Sequence, residues 1–245
     1  MSTAALAWSQ FRFERQMFWR NPSAAFFNFM LPLIFLVLIA SVYGADASDL
    51  DVLVPGIAGM AVMSTTFTAL AFNITFIREQ GILKRVRGTP LPPLAYFAGV
   101  IGNAVANAVV QVALVIVVGH FAFGGDLPAN WPTLAVFTAV GVATFACLGM
   151  AFAQVIPNFD AAPAYTNAVF LPAIFISGVF YSSASMPRVL EVIADVLPLK
   201  HVIDGMHAGI VTGAGLGSTL DSLAILAAWG AFGAWVVLRR FRWEA

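Results

Sequence analysis

Apolar residues in this chain come in long runs, each closed by a charge or a helix breaker, and not in the short amphipathic repeats of a soluble domain. The first run covers 26–44, nineteen residues or roughly 28 Å as helix, enough to cross the hydrocarbon core of a bilayer. Later runs cover 52–77, 96–123, 131–156, 165–181 and 220–238. Arg78 and Glu79 close the second, Gly124, Gly125, Asp126 and Pro128 the third, and Pro157 with Asn158 the fourth. Pro172 and Gly178 lie inside the fifth and predict an interrupted helix. Before the last run, 187–210 is too short and too charged to span and predicts a re-entrant or interfacial pair of short helices. Ahead of the first run, 4–20 predicts an amphipathic helix lying at the membrane surface. The expected fold is an all-α polytopic membrane protein, a single transmembrane domain over 1–245 with six transmembrane helices, an N-terminal interfacial helix and a re-entrant hairpin before the last helix. Runs of about twenty residues exclude the short alternating strands of an outer-membrane barrel.

Composition agrees with a lipid-facing surface. Hydrophobic residues make up 60% of the 245 and charged residues 10%, which is too little charge to cover this much apolar side chain with a water-facing surface. Mean hydropathy is +0.89. Twelve basic and twelve acidic residues cancel, yet they are segregated: ten of the twelve basic residues fall in the N-terminal segment, at Arg78 to Arg87, or from Arg239 onward. With six passages all three basic clusters lie on one side, so both termini are expected in the cytoplasm. Five or seven passages would divide them. The start of the chain, with Trp8, Glu14 and Trp19 ahead of any apolar run, does not read as a cleavable signal peptide. The lone Cys147 excludes an internal disulfide and reads as a small packing residue.

The connection after the second run, 78–93, carries Arg78, Glu79, Lys84, Arg85 and Arg87 with Ile82, Leu83 and Val86 as its apolar members, and Gly88, Pro90, Pro92 and Pro93 stiffen its exit. One reading is an orientation signal on anionic headgroups. The other is a short helix that docks into a soluble partner, through Arg78, Glu79, Leu83, Lys84, Arg85 and Arg87, and transmits its movement to the second and third passages. In the N-terminal segment Trp8, Phe11, Phe18 and Trp19 alternate with Arg12, Arg15 and Arg20, a pattern that suits aromatics in lipid. Passive anchor and force-transmitting lever are both open for it.

Asn103, Asn107 and Gln111 recur at steps of four and share one face of the third passage, with Asn73 near the inner end of the second, and Thr65, Thr66, Thr68 and Gln154 as possible partners. Such amides either join helices or line a wet route. Phe175, Ser177, Gly178, Phe180 and Tyr181, with Met186, offer bulky side chains beside a hinge at the outer face, either an apolar gate or an aromatic belt. No acidic residue lies deep in a passage, which argues against a proton- or sodium-driven relay. His120, His201 and His207 do not form a zinc motif, no GxxxxGK[ST] loop is present, and no catalytic, metal or cofactor site is expected.

The phrases REQGILKRVRGTPLPPLAYFAGV at 78–100 and AIFISGVFYSSASMPRVLEVIADVLPLKHVIDGM at 173–206 resemble the charged coupling segment and the fifth helix with re-entrant hairpin of ABC-2 type permeases. These are the membrane subunits of bacterial ATP-binding-cassette exporters, including the daunorubicin-resistance-type drug exporters and the polysaccharide and teichoic-acid exporters. The resemblance covers essentially the whole chain and implies a type V ABC exporter-like fold in the bacterial inner membrane. It implies two separate ABC ATPase subunits that hold ATP-Mg, a second permease copy forming a homodimer, a hydrophobic or amphipathic substrate moved outward, and no nucleic acid. The permease itself is then not an enzyme. A non-transporting membrane assembly or scaffold subunit is the competing reading.

Overall fold

The computed structural model describes residues 2–43, 46–88, 91–181 and 187–240, and they are helical almost throughout. Helix α1 (Thr3–Arg20) is followed by α2 (Pro22–Tyr43), α3 (Ala47–Met63), a π-helical segment (Ser64–Thr68) and α4 (Ala69–Glu79). Next come α5 (Ile82–Arg87), α6 (Pro93–Phe123), α7 (Trp131–Phe152) and α8 (Ala162–Ile176). The chain ends with α9 (Arg188–Ala194), α10 (Pro198–His207), a second π segment (Ala208–Thr212), a 3-10 turn and α11 (Leu220–Arg240). Among the described residues, five helical stretches are long and apolar enough to cross a membrane: Ala25–Val42, Asp49–Glu79, Leu94–Phe123, Trp131–Phe152 and Leu216–Arg239. Helix α8 is apolar and shorter; its 15 residues reach roughly 22 Å.

The continuous run α3–π–α4 is the most buried of the five and forms the axis around which α2, α6, α7 and α10 pack. Its core residues Ile57, Met60 and Val62 join Phe137 and Phe145 of α7 and Val202 and Met206 of α10 in one apolar cluster. A second cluster at the end nearer α5 gathers Leu70, Ile74 and Ile77 of α4, Leu83 of α5, Tyr96 and Val100 of α6, and Ala146 and Met150 of α7. The lipid-directed sides of α2 and α11 stay open, as expected of helices whose outer solvent is hydrocarbon.

Glycine sets how closely the helices approach. A Cβ on Gly56 would fall 2.0 Å from the Val179 carbonyl oxygen, on Gly149 2.6 Å from the Phe67 carbonyl oxygen, and on Gly205 1.9 Å from the Phe137 ring. Close backbone approach through small residues is the usual basis of helix association where lipid removes the hydrophobic drive. The register of α10 against α7 follows: Val202 lies on Gly141, Gly205 on Phe137 and Gly209 on Leu134. Helix α10 therefore begins near the middle of α7 and climbs toward its start. Asn130 closes this end by donating to the carbonyls of Gly213 and Ala214, at 3.2 and 3.3 Å.

The predicted interruption near 172–178 falls at Ser177–Gly178, where Gly178 adopts φ 74°; Pro172 stays within α8. The π segment at 64–68 was not visible in the apolar pattern. Thr65 and Thr66 satisfy themselves there by donating to the carbonyls of Ala61 (2.8 Å) and Val62 (2.5 Å) rather than to the amides of α6. Since Val179 is fully buried against Gly56 and its carbonyl cannot withdraw, Gly56→Ala is expected to destabilise the fold by about 1–3 kcal/mol, read as a lowered unfolding midpoint of the detergent-solubilised protein.

Candidate functional site

The connection between α4 and α6 is a folded hook. Helix α4 ends at Glu79, the chain turns at Gly81 with φ 65°, and α5 follows for six residues. Leu83 is fully buried in the cluster with Ile74, Tyr96 and Val100, while Ile82 and Val86 are half-buried beside it. Lys84 and Arg85 project outward and are exposed. The Arg87 side chain, Thr89 and Pro90 lie outside the described residues, as does Met186 of the outer element.

Arg78 does not share the exposure of its neighbours. It is 6% exposed, and its guanidinium donates to the carbonyls of Ala153 (2.9 Å) and Ile156 (2.6 Å), where α7 ends. The last carbonyls of a helix have no partner within it and carry the negative end of its dipole, so a buried guanidinium placed there satisfies both. Glu79 completes the attachment: its carboxylate accepts from the Phe159 amide at 2.6 Å. Phe72 and Phe76 of α4 pack edge-on against the Phe159 ring. Arg78 and Glu79 thus fasten the α7–α8 connection to α4, a use that the run of charges at 78–87 did not distinguish from an exposed basic patch.

Helix α1 lies along the start of α6. A Cβ on Gly99 would meet Gln10 at 2.6 Å, and the Phe11 ring lies 3.3 Å from the corresponding position of Gly102. The aromatic residues are therefore divided. Trp8 and Trp19 are exposed as expected, but Phe11 packs on α6 and Phe18 turns to Phe29 of α2 with ring centroids 5.7 Å apart. Arg15 reaches 2.5 Å from its Nη to the Asn107 side-chain oxygen and lies 5.6 Å from the centre of the Trp19 ring.

Asn73, Asn103 and Asn107 line one cavity of about 220 Å³ between α1, α2, α4 and α6. Gln111 is apart from it, donating to the Asn28 carbonyl at 2.8 Å. Gln154 bonds to Met150 of its own turn and is not placed with these amides. Two polar residues of the cavity, Glu14 and Asn28, had no functional role in the sequence reading. The i,i+4 pair Gln10–Glu14 within an aromatic helix and an amide inside the first apolar run were the available signals.

At the other end Phe175 and Phe180 stand 5.8 Å apart, and Phe180 meets Phe35 of α2 at 5.7 Å. The Tyr181 hydroxyl donates to the Phe175 carbonyl. Ser177, Gly178 and Tyr181 border a cavity of about 200 Å³ together with Lys200, Asp204 and His207. Burial pulls the Lys200 ammonium down, but Asp204 and Asp195, at 3.1 and 3.2 Å, outweigh it and hold it above its ordinary value. His201 joins the Asp195 carbonyl (2.8 Å) and Ser222 (3.2 Å), linking α10 to α11. Among the described residues no group of three or more His, Cys, Asp and Glu is placed to hold a metal ion.

The ABC-2 type transporter family model matches residues 4–211, which includes α1, the hook and α10. The chain belongs to this family. It is similar to the inner membrane transport permease YadH of Escherichia coli (strain K12), with 21% identity over 73% of this chain and 72% of that protein. It is also similar to the daunorubicin resistance ABC transporter permease protein DrrB1 of Streptomyces coeruleorubidus, with 28% identity over 70% of this chain and 63% of that protein. A third relative, the linearmycin resistance permease protein LnrN of Bacillus subtilis (strain 168), shares 25% identity over 77% of this chain and 48% of its own length. Members of the family are typically permease subunits that carry no catalytic site of their own.

Replacing Arg78 by Met leaves two carbonyls at the end of α7 without their donor. The expected loss is about 2–5 kcal/mol of stability, whereas Arg85→Ala should stay within about 0.5 kcal/mol; thermal unfolding of the two variants in the same detergent separates them.

Proposed function

We propose that this ABC-2 family chain is the permease subunit of an ATP-driven exporter that moves a hydrophobic or amphipathic substrate, such as a drug, a lipid or a lipid-linked glycan, outward across a bacterial inner membrane. The observation that carries this reading is the hook. Its apolar side is buried on α4 and α6 while Lys84 and Arg85 point away from the bundle, which suits a short helix seated in a soluble partner. The relatives, a transport permease and two resistance permeases, support the same class of activity.

In this proposal α8 is a sixth passage. It starts at the hook end, beside Glu79 and Phe159, and the chain after it reaches Gly56, midway along α3 and 23 residues before Glu79, so it traverses much of the bundle despite its length. Both termini and the hook are then cytoplasmic, in keeping with the clustered basic residues. Helices α9 and α10 form the re-entrant hairpin. The α10 register on α7 supports it, as do Leu197, Pro198 and Leu199, which line a cavity of about 350 Å³ with Met63, Phe67 and Trp229 halfway along the bundle. The open faces of α2 and α8 suit a second copy of the chain, with Phe35, Phe175 and Phe180 as an apolar outer gate between copies.

Two ABC ATPase subunits, each holding ATP-Mg, would engage the hooks of the two permeases. Their closure moves α5, and the burial of Leu83 passes that movement to α4 and α6. Among the described charged side chains of the hook, Lys84 and Arg85 are the exposed ones, whereas Glu79 accepts from Phe159 and Arg78 donates to the end of α7.

The test is co-purification in nanodiscs with each ABC ATPase of the source cell, scored for a stable complex and for ATP hydrolysis. Arg85→Glu is expected to lower permease-dependent hydrolysis by about tenfold, equivalent to 1.4 kcal/mol of docking free energy, with no change in the unfolding midpoint. A full set of ATPases with no binder, or hydrolysis indifferent to Arg85→Glu and Lys84→Glu together, would overturn the docking role and favour the scaffold reading.

A further inference from the structure

The cavity between α1, α2, α4 and α6 holds a set of groups that do not satisfy one another. Glu14 lines it from α1, Asn28 from α2, Asn73 from α4, and Asn103 and Asn107 from α6. The Glu14 carboxylate accepts from Gln10 at 2.8 Å, and no basic side chain pairs with it among the described residues. The Asn103 side-chain oxygen and the Asn28 side-chain nitrogen are both buried without a hydrogen-bond partner. Buried polar atoms of this kind call for a partner that the chain does not provide. Here the unmet requirements are two acceptors, a carboxylate and an amide oxygen, and one donor. The cavity lies between helix α1 and the bundle, lined by residues of both.

We infer that this cavity binds a primary ammonium group that carries an oxygen acceptor a few bonds away. An ammonium has three N–H donors and no acceptor, which suits Glu14 and Asn103 together. Its oxygen takes the Asn28 amide. A quaternary ammonium fits poorly, because it has no N–H to give and is held instead by aromatic cages, whereas Phe18 is the one aromatic ring in the cavity lining. A phosphoethanolamine headgroup of an inner-leaflet lipid and the amine of an amphipathic solute share this chemistry. With about 220 Å³ available, the cavity is large enough for an ethanolamine headgroup.

Burial pushes the Glu14 carboxyl above its ordinary value, against the smaller opposing effect of the Gln10 hydrogen bond. The other ionisable groups nearby are the Tyr96 phenol of α6, which Glu14 influences, and Arg15, which is turned to Asn107 and Trp19; the lining from α2 and α4 is uncharged. A cation bound at Glu14 competes with its proton. Affinity is therefore highest above the raised value and falls as the pH drops through it.

The test is native mass spectrometry of the full chain purified in detergent, titrated with three probes: dihexanoyl phosphatidylethanolamine, dihexanoyl phosphatidylcholine and hexylammonium. The ethanolamine probe is expected to bind at least about tenfold more tightly than the choline probe, as befits hydrogen bonds to a charged group, and Glu14→Gln should abolish the difference. Hexylammonium, which has no oxygen for Asn28, should bind through Glu14 more weakly than the ethanolamine probe, and equal affinity would overturn the requirement for an oxygen acceptor. Failure of hexylammonium beside a bound ethanolamine probe supports a lipid-headgroup site. Equal binding of the two lipids, or an ethanolamine affinity untouched by Glu14→Gln, overturns the inference. Asn103→Asp, which adds a second carboxylate, is a further check if Glu14→Gln misfolds: it should tighten ethanolamine binding, and no gain would count against the site. Because no ATPase takes part, the outcome is independent of the transport reading.

Discussion

In a bundle surrounded by lipid no backbone carbonyl can be left to water, and the end of α7 is where that constraint bears hardest. There the helix stops short of the next element, and the carbonyls of Ala153 and Ile156 turn inward. Arg78 supplies the donors from a different helix, 75 residues earlier in the chain for Ala153. A lysine would bring its donors to a point, whereas the planar guanidinium spans two oxygens at once. The consequence is architectural. The connection from α7 to α8 cannot move independently of α4, and Glu79 on Phe159 adds a second fastening one residue away.

The glycines act in the same sense at other levels of the bundle. Gly149 brings α7 against the Phe67 carbonyl, Gly56 brings α3 against Val179, and Gly99 admits α1 to α6. Lipid gives helices little hydrophobic reason to associate, so dispersion contacts across such close approaches, together with a few buried donors, supply most of the cohesion. This accounts for the sparse use of side-chain amides as glue. Gln111 ties α6 to α2 through one bond to the Asn28 carbonyl, and Asn107 is bonded to Arg15 of α1.

The helical, membrane-embedded class was legible in the apolar runs, because hydrocarbon thickness dictates their length and charge marks their ends. The buried side of the hook was legible too, since Ile82, Leu83 and Val86 fall on one face of a turn of helix. Other features depend on tertiary partners and leave no local trace. The pattern of Arg78 is that of Arg85, and only the position of α7 separates a buried cap from an exposed charge. The π segment at 64–68 inserts no breaker residue; its threonines read equally well as ordinary helix. Asn103, Asn107 and Gln111 share a face by periodicity, yet the cavity takes the first two with Asn73 and leaves Gln111 to α2, because α1 covers part of the stripe. Glu14 lay in a segment whose aromatics drew attention to lipid, and its inward direction follows from the seating of Gln10 on Gly99, about two turns into α6.

The packing also bears on how force at the hook would travel. Leu83 is clamped among α4, α6 and α7, and α1 is seated on Gly99 and Gly102 of α6, so these pieces move as one block. Helix α2 touches α1 mainly through Phe29, between the Phe18 and Trp19 rings. A displacement of α5 therefore reaches α2 weakly by way of α1. It reaches the opposite end along two other routes: through α4 into α3, across the π segment, and through Arg78 and Glu79 into the start of α8. The first route crosses the place where the backbone hydrogen-bond register changes, a common site of compliance in a helix. The second is direct, since α8 is short and ends at Ser177–Gly178 beside Phe180. Movement delivered by both routes would arrive at the same contact, Gly56 on Val179, where the spacing is too tight for α3 and the segment after α8 to shift independently. That contact, and not the continuity of α1 with α2, is where the two ends of the bundle are mechanically joined.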